Sequence, residues 1–293
     1  MAINLHLLRL FSAVADTGSF RGAADRLVIS QPAVSRGVQE LERQLGAQLI
    51  DRSARPLALT EAGRVLNEHA VAIFGLEQQA EAALGELDTL GRGRLAIGAS
   101  TTVGIYLLPD LLGAFRRAHP GISLFLDIGN TAQVVEHLRH HPLDLAFIEG
   151  PVPASDDLVV APWRQDRLVP IAAPDHPLAR PGGATIEELL ATPFLHRELG
   201  SGTREVVEAA LRPHGELPPV AMELGSTEAI KQAVAAGLGV SIVSAVAIEH
   251  ELALGRLVVP EIAGLQVGRT LTLLRVAGRP ASRAARAFLD EIA

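Results

Sequence analysis

The 293-residue sequence predicts an α/β protein with an all-α N-terminal part, and three patterns carry that prediction. Before residue 46, three segments with apolar residues at helical spacing are joined by short turns. From Thr60 a single long segment follows, its apolar residues separated by alternating threes and fours. Beyond Gly93 the chain repeats one unit: strand, hydroxyl-bearing turn, helix. The composition sets limits on function. At 48% hydrophobic residues the chain can build about two proper cores, yet no stretch approaches the roughly 18 uninterrupted apolar residues of a membrane span. Cysteine is absent, which excludes disulfides, thiolate metal ligands and cysteine nucleophiles. The N-terminus reaches Arg9 and Asp16 without a signal-peptide core, so a cytoplasmic location is expected.

The first helix carries Leu7, Phe11 and Val14 on one face, widened by Leu8 and Ala15, and stops at Thr17-Gly18. Ser19 caps a second helix, Phe20 to Leu27, with Ala23, Ala24 and Leu27 as packing residues. After a short Val28-Ile29 turn, Ser30 is an N-cap candidate and Pro32 fits the first turn, where its missing N–H has no partner to lose. Val34, Val38, Leu41 and Leu45 form the apolar face of this third helix. Gln31, Pro32, Ser35, Arg36 and Gln39 lie at its exposed N-terminal side, with hydrogen-bonding groups suited to base edges and phosphates. Three helices with a tight turn before the third predict a helix-turn-helix. Arg52 and Arg55 then flank a turn bounded by Leu49, Ile50, Leu57 and Leu59, consistent with a two-stranded wing that reaches the phosphate backbone, although an ordinary charged hairpin would have the same pattern. The chain's net charge is −7, but residues 1–64 hold eight Arg against six acidic residues, a net of +2. The other 18 basic and 27 acidic residues give −9, so any contact with nucleic acid belongs to the N-terminal part.

Thr60-Glu61 opens a helix expected to reach about Leu90. Ala62, Leu66, His69, Ile73, Leu76, Ala80, Ala83 and Leu87 form an a/d seam that favours pairing with a second chain over lying on its own domain. Two such chains would present two Ser30 helices to two half-sites, so the expected DNA is an interrupted palindrome. After the Gly91-Arg92-Gly93 break come strands at Arg94–Ala99, Ile122–Ile128, Leu143–Ile148, Phe194–Glu198 and Val220–Leu224. The turns after them hold Ser100, Thr101 and Thr102; Asn130 and Thr131; Glu149 and Gly150; Ser201, Gly202 and Thr203; and Ser226 and Thr227. Each hydroxyl can simply cap its own helix, but several helix N-termini at one edge of a sheet form a site for a small anion. Arg197 and Arg204 are candidates for the fixed charge.

The stretch FSAVADTGSFRGAADRLVISQPAVSRGVQELERQLGAQLIDRSARPLALTEAG resembles the N-terminal domain of the LysR-type transcriptional regulators. The match lies in Ala23-Ala24, in Ser30 through Ser35, in Leu41-Glu42 and in Leu59 through Gly63. Ile50-Asp51-Arg52 departs from the Phe and acidic residue usual before this Arg. The resemblance runs over essentially the whole chain. It implies a winged helix-turn-helix at 1–59, a linker and dimerisation helix at 60–91, and a two-lobed periplasmic-binding-protein-like effector domain at 92–293. Lobe one would hold 92–164 and 268–293, and lobe two 165–267.

The resemblance further implies a homodimer, with tetramers on DNA, and RNA polymerase as a partner such a regulator can engage. It places Ser100, Thr102, Thr131, Thr203 and Ser226 in the cleft; Thr101, Arg197, Ser201 and Gly202 adjoin them. Glu149 replaces a hydroxyl usual in anion-binding members. It would repel an anion unless protonated or paired with Arg197, which leaves a protonated or amine-bearing effector open. RELGSGTR is similar to the subgroup of Calvin-cycle and sulfur-gene regulators, which suggests an oxyanion or phosphorylated metabolite as effector, with no cofactor.

Other signals are weaker. His137, His140 and His141 end a helix, where histidines suit the dipole without a metal, and no carboxylate or cysteine completes a tetrahedral set nearby. GSGTR lacks the Lys-Ser/Thr of a P-loop, and there is no G-x-S-x-G elbow, so no catalytic residue is assigned. The rival function is an anion-binding receptor or small-molecule enzyme using the same cleft. Neither needs a helix-turn-helix. Trp163 is expected to pack just before the second lobe.

Overall fold

The computed structural model describes residues 3–52, 54, 57–85, 93–152 and 155–292. It divides into two units, Met1–Glu81 with His140–Pro142, and Ala82–Arg139 with Leu143–Ala293.

In the first unit, α1 (Leu5–Thr17), α2 (Phe20–Leu27) and α3 (Gln31–Leu45) pack around Leu8, Phe11, Val14, Ala23, Val34, Val38 and Leu41. Asn4 and Ser19 cap α1 and α2 through their side chains, while Gly18 and Gly46 end α1 and α3 in left-handed conformations. Ser30 occupies the N-cap position of α3 but its side chain makes no capping bond. The wing is a minimal antiparallel pair, β1 (Ile50–Asp51) and β2 (Ala58–Leu59), with Ile50 opposite Leu59. Arg55 lies outside the described residues.

The long helix α4 spans Glu61–Gly85, so Leu87 and the expected extension to Leu90 also lie outside them. Its first turn passes the Leu49 carbonyl so closely that a Cβ on Gly63 would sit 2.0 Å from that oxygen. The expected seam divides between two directions. Leu66 and Ile73 pack on the helix-turn-helix core, joined there by Ala70 and Phe74 from outside the seam, whereas Ala62, His69, Leu76 and Ala80 are exposed, as is the neighbouring Val65. A helix that must lie on its own small domain uses part of its apolar surface there, and the remainder forms a second stripe at threes and fours.

The second unit is built on a six-stranded sheet of order β4-β3-β5-β10-β6-β9. These are β3 (Gly93–Ser100), β4 (Ile122–Gly129), β5 (Leu145–Ile148), β6 (Leu158–Ile171), β9 (Ser241–Ser244) and β10 (Val267–Val276); a separate parallel pair comprises β7 (Phe194–Arg197) and β8 (Val220–Leu224). β3 runs parallel to β4 and β5, whereas β10 is antiparallel to β5 and β6. The long strands β6 and β10 belong to both lobes. The late half of β10 pairs with β5 through Thr272–Leu274, the late half of β6 pairs with β9 through Leu168–Ile171, and the two long strands pair with each other along their length. A register shift at Leu271/Thr272 interrupts their ladder. Trp163, close to this shift, packs edge-on against Phe147 with ring centroids 4.7 Å apart, which makes it a lobe-one packing residue as expected.

The helices α5 (Leu108–Ala118), α6 (Thr131–His140) and α11 (Arg283–Ile292) belong to lobe one, and α7 (Ile186–Leu190), α8 (Gly202–Leu211), α9 (Thr227–Ala235) and α10 (Glu249–Ala253) to lobe two. Lobe one has cores around Phe115, Phe147 and Phe288 and around Val134, Leu138 and Ile148. Lobe two has cores around Phe194, Val207 and Leu211 and around Leu195, Ile230 and Val234. Between β3 and α5, Val103–Leu107 forms one π-helical stretch rather than the plain helix start expected after Ser100-Thr101-Thr102. No helix among the described residues is long and apolar enough to cross a membrane.

Candidate DNA-binding face and interlobe site

At the N-terminal end of α3, Gln31, Pro32, Arg36 and Gln39 are exposed and Ser35 is half-buried. Val34, Val38 and Leu41 are fully buried, so the core fixes which side of the helix faces outward. Ser30 makes no capping bond, so its hydroxyl remains available as a donor; Pro32 has no N–H, and the Ala33 and Val34 N–H groups donate to the Ser30 carbonyl at 2.9 and 3.2 Å. Arg36 forms no ion pair with the described residues. Arg52 is different. Its Nη2 lies 3.0 Å from Glu42 Oε2 and its guanidinium sits over the Phe20 ring. Glu42 Oε1 in turn accepts from the backbone N–H groups of Leu49 and Ile50 at 2.9 and 3.2 Å. The Leu41-Glu42 pair singled out in the sequence thus combines a core leucine with a carboxylate that anchors both the start of the wing and its arginine. The turn before α3 holds the one described non-glycine residue with positive φ, Val28 at +56°. It is 90% exposed.

The strand ends of the second unit bring Glu149, Thr203, Thr131 and Gly202 together, and add a residue absent from the expected set. Arg269, on β10, lies with Nη2 2.8 Å from Glu149 Oε2. Its Nε and Nη2 are each 2.7 Å from Asp166 Oδ2, and its Nη1 donates to Thr203 Oγ1 at 2.8 Å. Thr203 donates onward to Glu149 Oε1 at 3.2 Å, and Ser244 donates to Asp166 Oδ1 at 2.7 Å. Glu149, Arg269 and Asp166 have side chains at most 4% exposed. Two carboxylates therefore share one guanidinium away from water, and Glu149 is the less firmly held.

A backbone contact joins the lobes here: the Ala132 N–H donates to the Gly200 carbonyl at 3.1 Å, while within lobe one the Thr131 hydroxyl donates to the Glu149 carbonyl at 2.6 Å. A Cβ on Gly202 would fall 1.8 Å from the Glu149 carbonyl oxygen, so only glycine fits at the first residue of α8. Ser100, Thr102 and Ser201 are almost fully buried, and the hydroxyls of Ser100 and Ser201 have no hydrogen-bond partner among the described residues. Thr101 donates to the Gly129 carbonyl at 3.2 Å.

Two expectations are corrected. Arg197 does not pair with Glu149. Its Nε and Nη2 bind the neighbouring Glu198 at 2.7 and 2.8 Å, and its Nη1 binds Thr227 at 3.1 Å. Charges on consecutive residues reach each other without any tertiary constraint, so Glu198, just past the end of β7, neutralises Arg197. Burial would push Glu198 up, but the Arg197 bonds outweigh it and hold its carboxyl below the usual range. Arg204 is likewise committed, to Glu208 at 2.8 Å and Glu223 at 2.7 Å. Neither is a free fixed charge for the cleft. Ser226 caps its own helix by accepting from the Ala229 N–H at 3.1 Å. A second interlobe bridge was not foreseen. The Tyr106 hydroxyl, from the π-helical stretch, donates to Glu228, and Lys231 binds Glu228, Glu251 and the Ala247 carbonyl at 2.7, 3.0 and 2.8 Å. Burial, reinforced by the Glu228 carboxylate, pushes the Tyr106 phenol up to about 12.

Arg269 had a legible signal. Val267, Arg269 and Leu271 occupy the buried phase of β10 while Gly268 and Thr270 are exposed, so an arginine at a core position of an alternating strand demands a buried partner. His137 bonds Asp127 through Nδ1, and no group able to hold a metal is found among the described residues.

A three-helix domain with a wing, coupled in one chain to a two-lobed α/β unit whose lobes share two long strands, defines a ligand-responsive DNA-binding protein. Residues 5–64 match the model of the bacterial regulatory helix-turn-helix of the lysR family, and residues 89–293 match the LysR substrate binding domain. The chain belongs to the LysR family of DNA-binding transcriptional regulators, which sets aside the rival enzyme function. It is 40% identical over 290 residues to the HTH-type transcriptional regulator YeiE of Escherichia coli, covering 99% of this chain and 97% of that protein. It is 39% identical to a probable RuBisCO transcriptional regulator of Synechocystis, covering 98% of this chain and 85% of the relative. Among solved structures, the regulatory domain of Synechocystis CcmR in complex with 2-PG is similar at 36% identity and a TM-score of 0.64, covering 69% of this chain and 96% of that domain. The expected kinship with regulators of carbon-fixation genes holds.

Proposed function

We propose that a small oxyanion or phosphorylated metabolite binds between the lobes and shifts the balance among subunit arrangements that engage DNA differently. The observation that carries this is the set of buried donors at the strand ends: the Ser100 and Ser201 hydroxyls, which have no partner among the described residues, and the Arg269 guanidinium held by Glu149. Likeness to the CcmR domain, whose structure holds 2-PG, supports an anion. The metabolite controls output only by binding one arrangement better than the other. No cofactor takes part.

On the DNA side, Gln31, Pro32, Ser35, Arg36 and Gln39 enter the major groove, and Arg52 and Arg55 follow the backbone. Arg52 is oriented for that role by Glu42. The exposed Ala62, Val65, His69 and Leu76 stripe of α4 pairs with a second copy, and the dimer reads an interrupted palindrome; tetramers on DNA and contact with RNA polymerase follow the family pattern. The protein works in the cytoplasm, with functional boundaries near residues 60 and 92. The polypeptide is tested by thermal unfolding of the full chain against phosphate esters, sulfite and amino acids. A metabolite at 100 times its Kd adds about 2.7 kcal/mol. A shift with a phosphorylated compound, lost in Ser100→Ala, is expected; shifts with amines alone would refute an anionic effector.

A further inference from the structure

Six buried side-chain polar atoms lack a hydrogen bond among the described residues, and four belong to the strand and helix ends of the second unit: Ser100 Oγ at the end of β3, Ser201 Oγ at the N-cap of α8, Glu149 Oε2 just after β5, and Arg269 Nη2 on β10. The last two face each other at 2.8 Å without the geometry of a hydrogen bond. Four unmade bonds among these ends are unusual, because buried polar atoms are nearly always paired. The set also has a composition. Two hydroxyls and a guanidinium can donate, and one carboxylate can only accept.

We infer that Glu149 selects an oxyanion that retains a proton, such as a hydrogen phosphate group, over a fully deprotonated one such as sulfate. This rests on the anion-binding reading above and specifies its chemistry. The donors satisfy the ligand's charged oxygens. Glu149 Oε2 accepts the ligand's O–H, a bond that sulfate at neutral pH cannot supply. Sulfate would instead place a charged oxygen against a carboxylate 2% exposed, where water screens little of the repulsion. Arg269 cannot cancel that repulsion alone, since it already shares its charge with Asp166. Glu149 thus supplies the repulsive element against the wrong ligand as well as a contact to the right one.

The test is isothermal titration calorimetry of the full chain at pH 7 and constant ionic strength, with inorganic phosphate and with sulfate. Phosphate keeps at least one proton at this pH; sulfate keeps none. One phosphate per chain is expected, with sulfate at least about a hundredfold weaker. In Glu149→Gln the amide donates to a charged oxygen, and the preference should fall at least about tenfold. Glu149→Asp keeps an acceptor and should keep the preference, which guards against a Gln variant that fails to fold. Equal affinity of the native chain for both anions leaves the anion-binding reading standing and overturns selection by Glu149, as does an undiminished preference in a folded Glu149→Gln. Binding of neither anion overturns both.

Discussion

Arg269 Nη2 and Glu149 Oε2 meet at 2.8 Å with both side chains 2% exposed, joining a strand shared by the two lobes to the end of a lobe-one strand. Removing the guanidinium leaves Glu149 and Asp166 as buried carboxylates without a counter-charge. Arg269→Met should therefore cost about 3–5 kcal/mol in chemical denaturation of the full chain. A loss under 1 kcal/mol would mean that water reaches the network.

The glycine at the start of α8 gives a steric prediction. Gly202→Ala drives a methyl into the Glu149 carbonyl, so the lobes must separate locally. About 1–3 kcal/mol of destabilisation is expected, with weakened binding of whatever ligand stabilises the native chain. An unchanged melting temperature would show that the lobes do not close here in solution.

Val28 should respond in the opposite sense. A β-branched residue at φ +56° with 90% exposure carries backbone strain that no packing offsets. Val28→Asn, compatible with the left-handed region, should raise stability by about 1 kcal/mol. A lower melting temperature would place the valine side chain in a contact that stabilises the fold.

His196 supplies a pH dependence. Burial, with Arg204 nearby, lowers its pKa, so the fold favours the neutral ring. The unfolded chain then takes up a proton that the folded chain refuses. Stability from this group is present above the unfolded histidine pKa, about 6.5, and is lost as pH falls through the lower folded value. His196→Phe should flatten the decline in melting temperature between pH 7 and pH 5; an equally steep decline would assign the acid limb to other groups.

The phosphate contacts are separable by salt. Arg52→Ala should weaken operator binding across sequences and lower the slope of log K against log salt by about one. Measured by fluorescence anisotropy, an unchanged slope would remove Arg52 from the DNA backbone.

The sequence by itself determined the local elements. Helix ends followed from Thr17-Gly18 and Ser19, because caps and left-handed turns depend on a few adjacent residues. The hydroxyl-bearing turns of the α/β unit followed from its repeated pattern, and the winged domain was legible in its LysR-like block. Which charges pair was decided by the tertiary structure. Arg197 and Arg204 looked like free cations in the sequence but are neutralised by Glu198, Glu208 and Glu223. Arg269 finds Glu149 from 120 positions away only because β10 lies beside both β5 and β6. Likewise the seam of α4 is one stripe in sequence and two directions in space, since packing against the winged domain takes Leu66 and Ile73. Local conformation is set by neighbours along the chain, whereas the partner of a buried charge is set by the topology that carries distant strands to the same place.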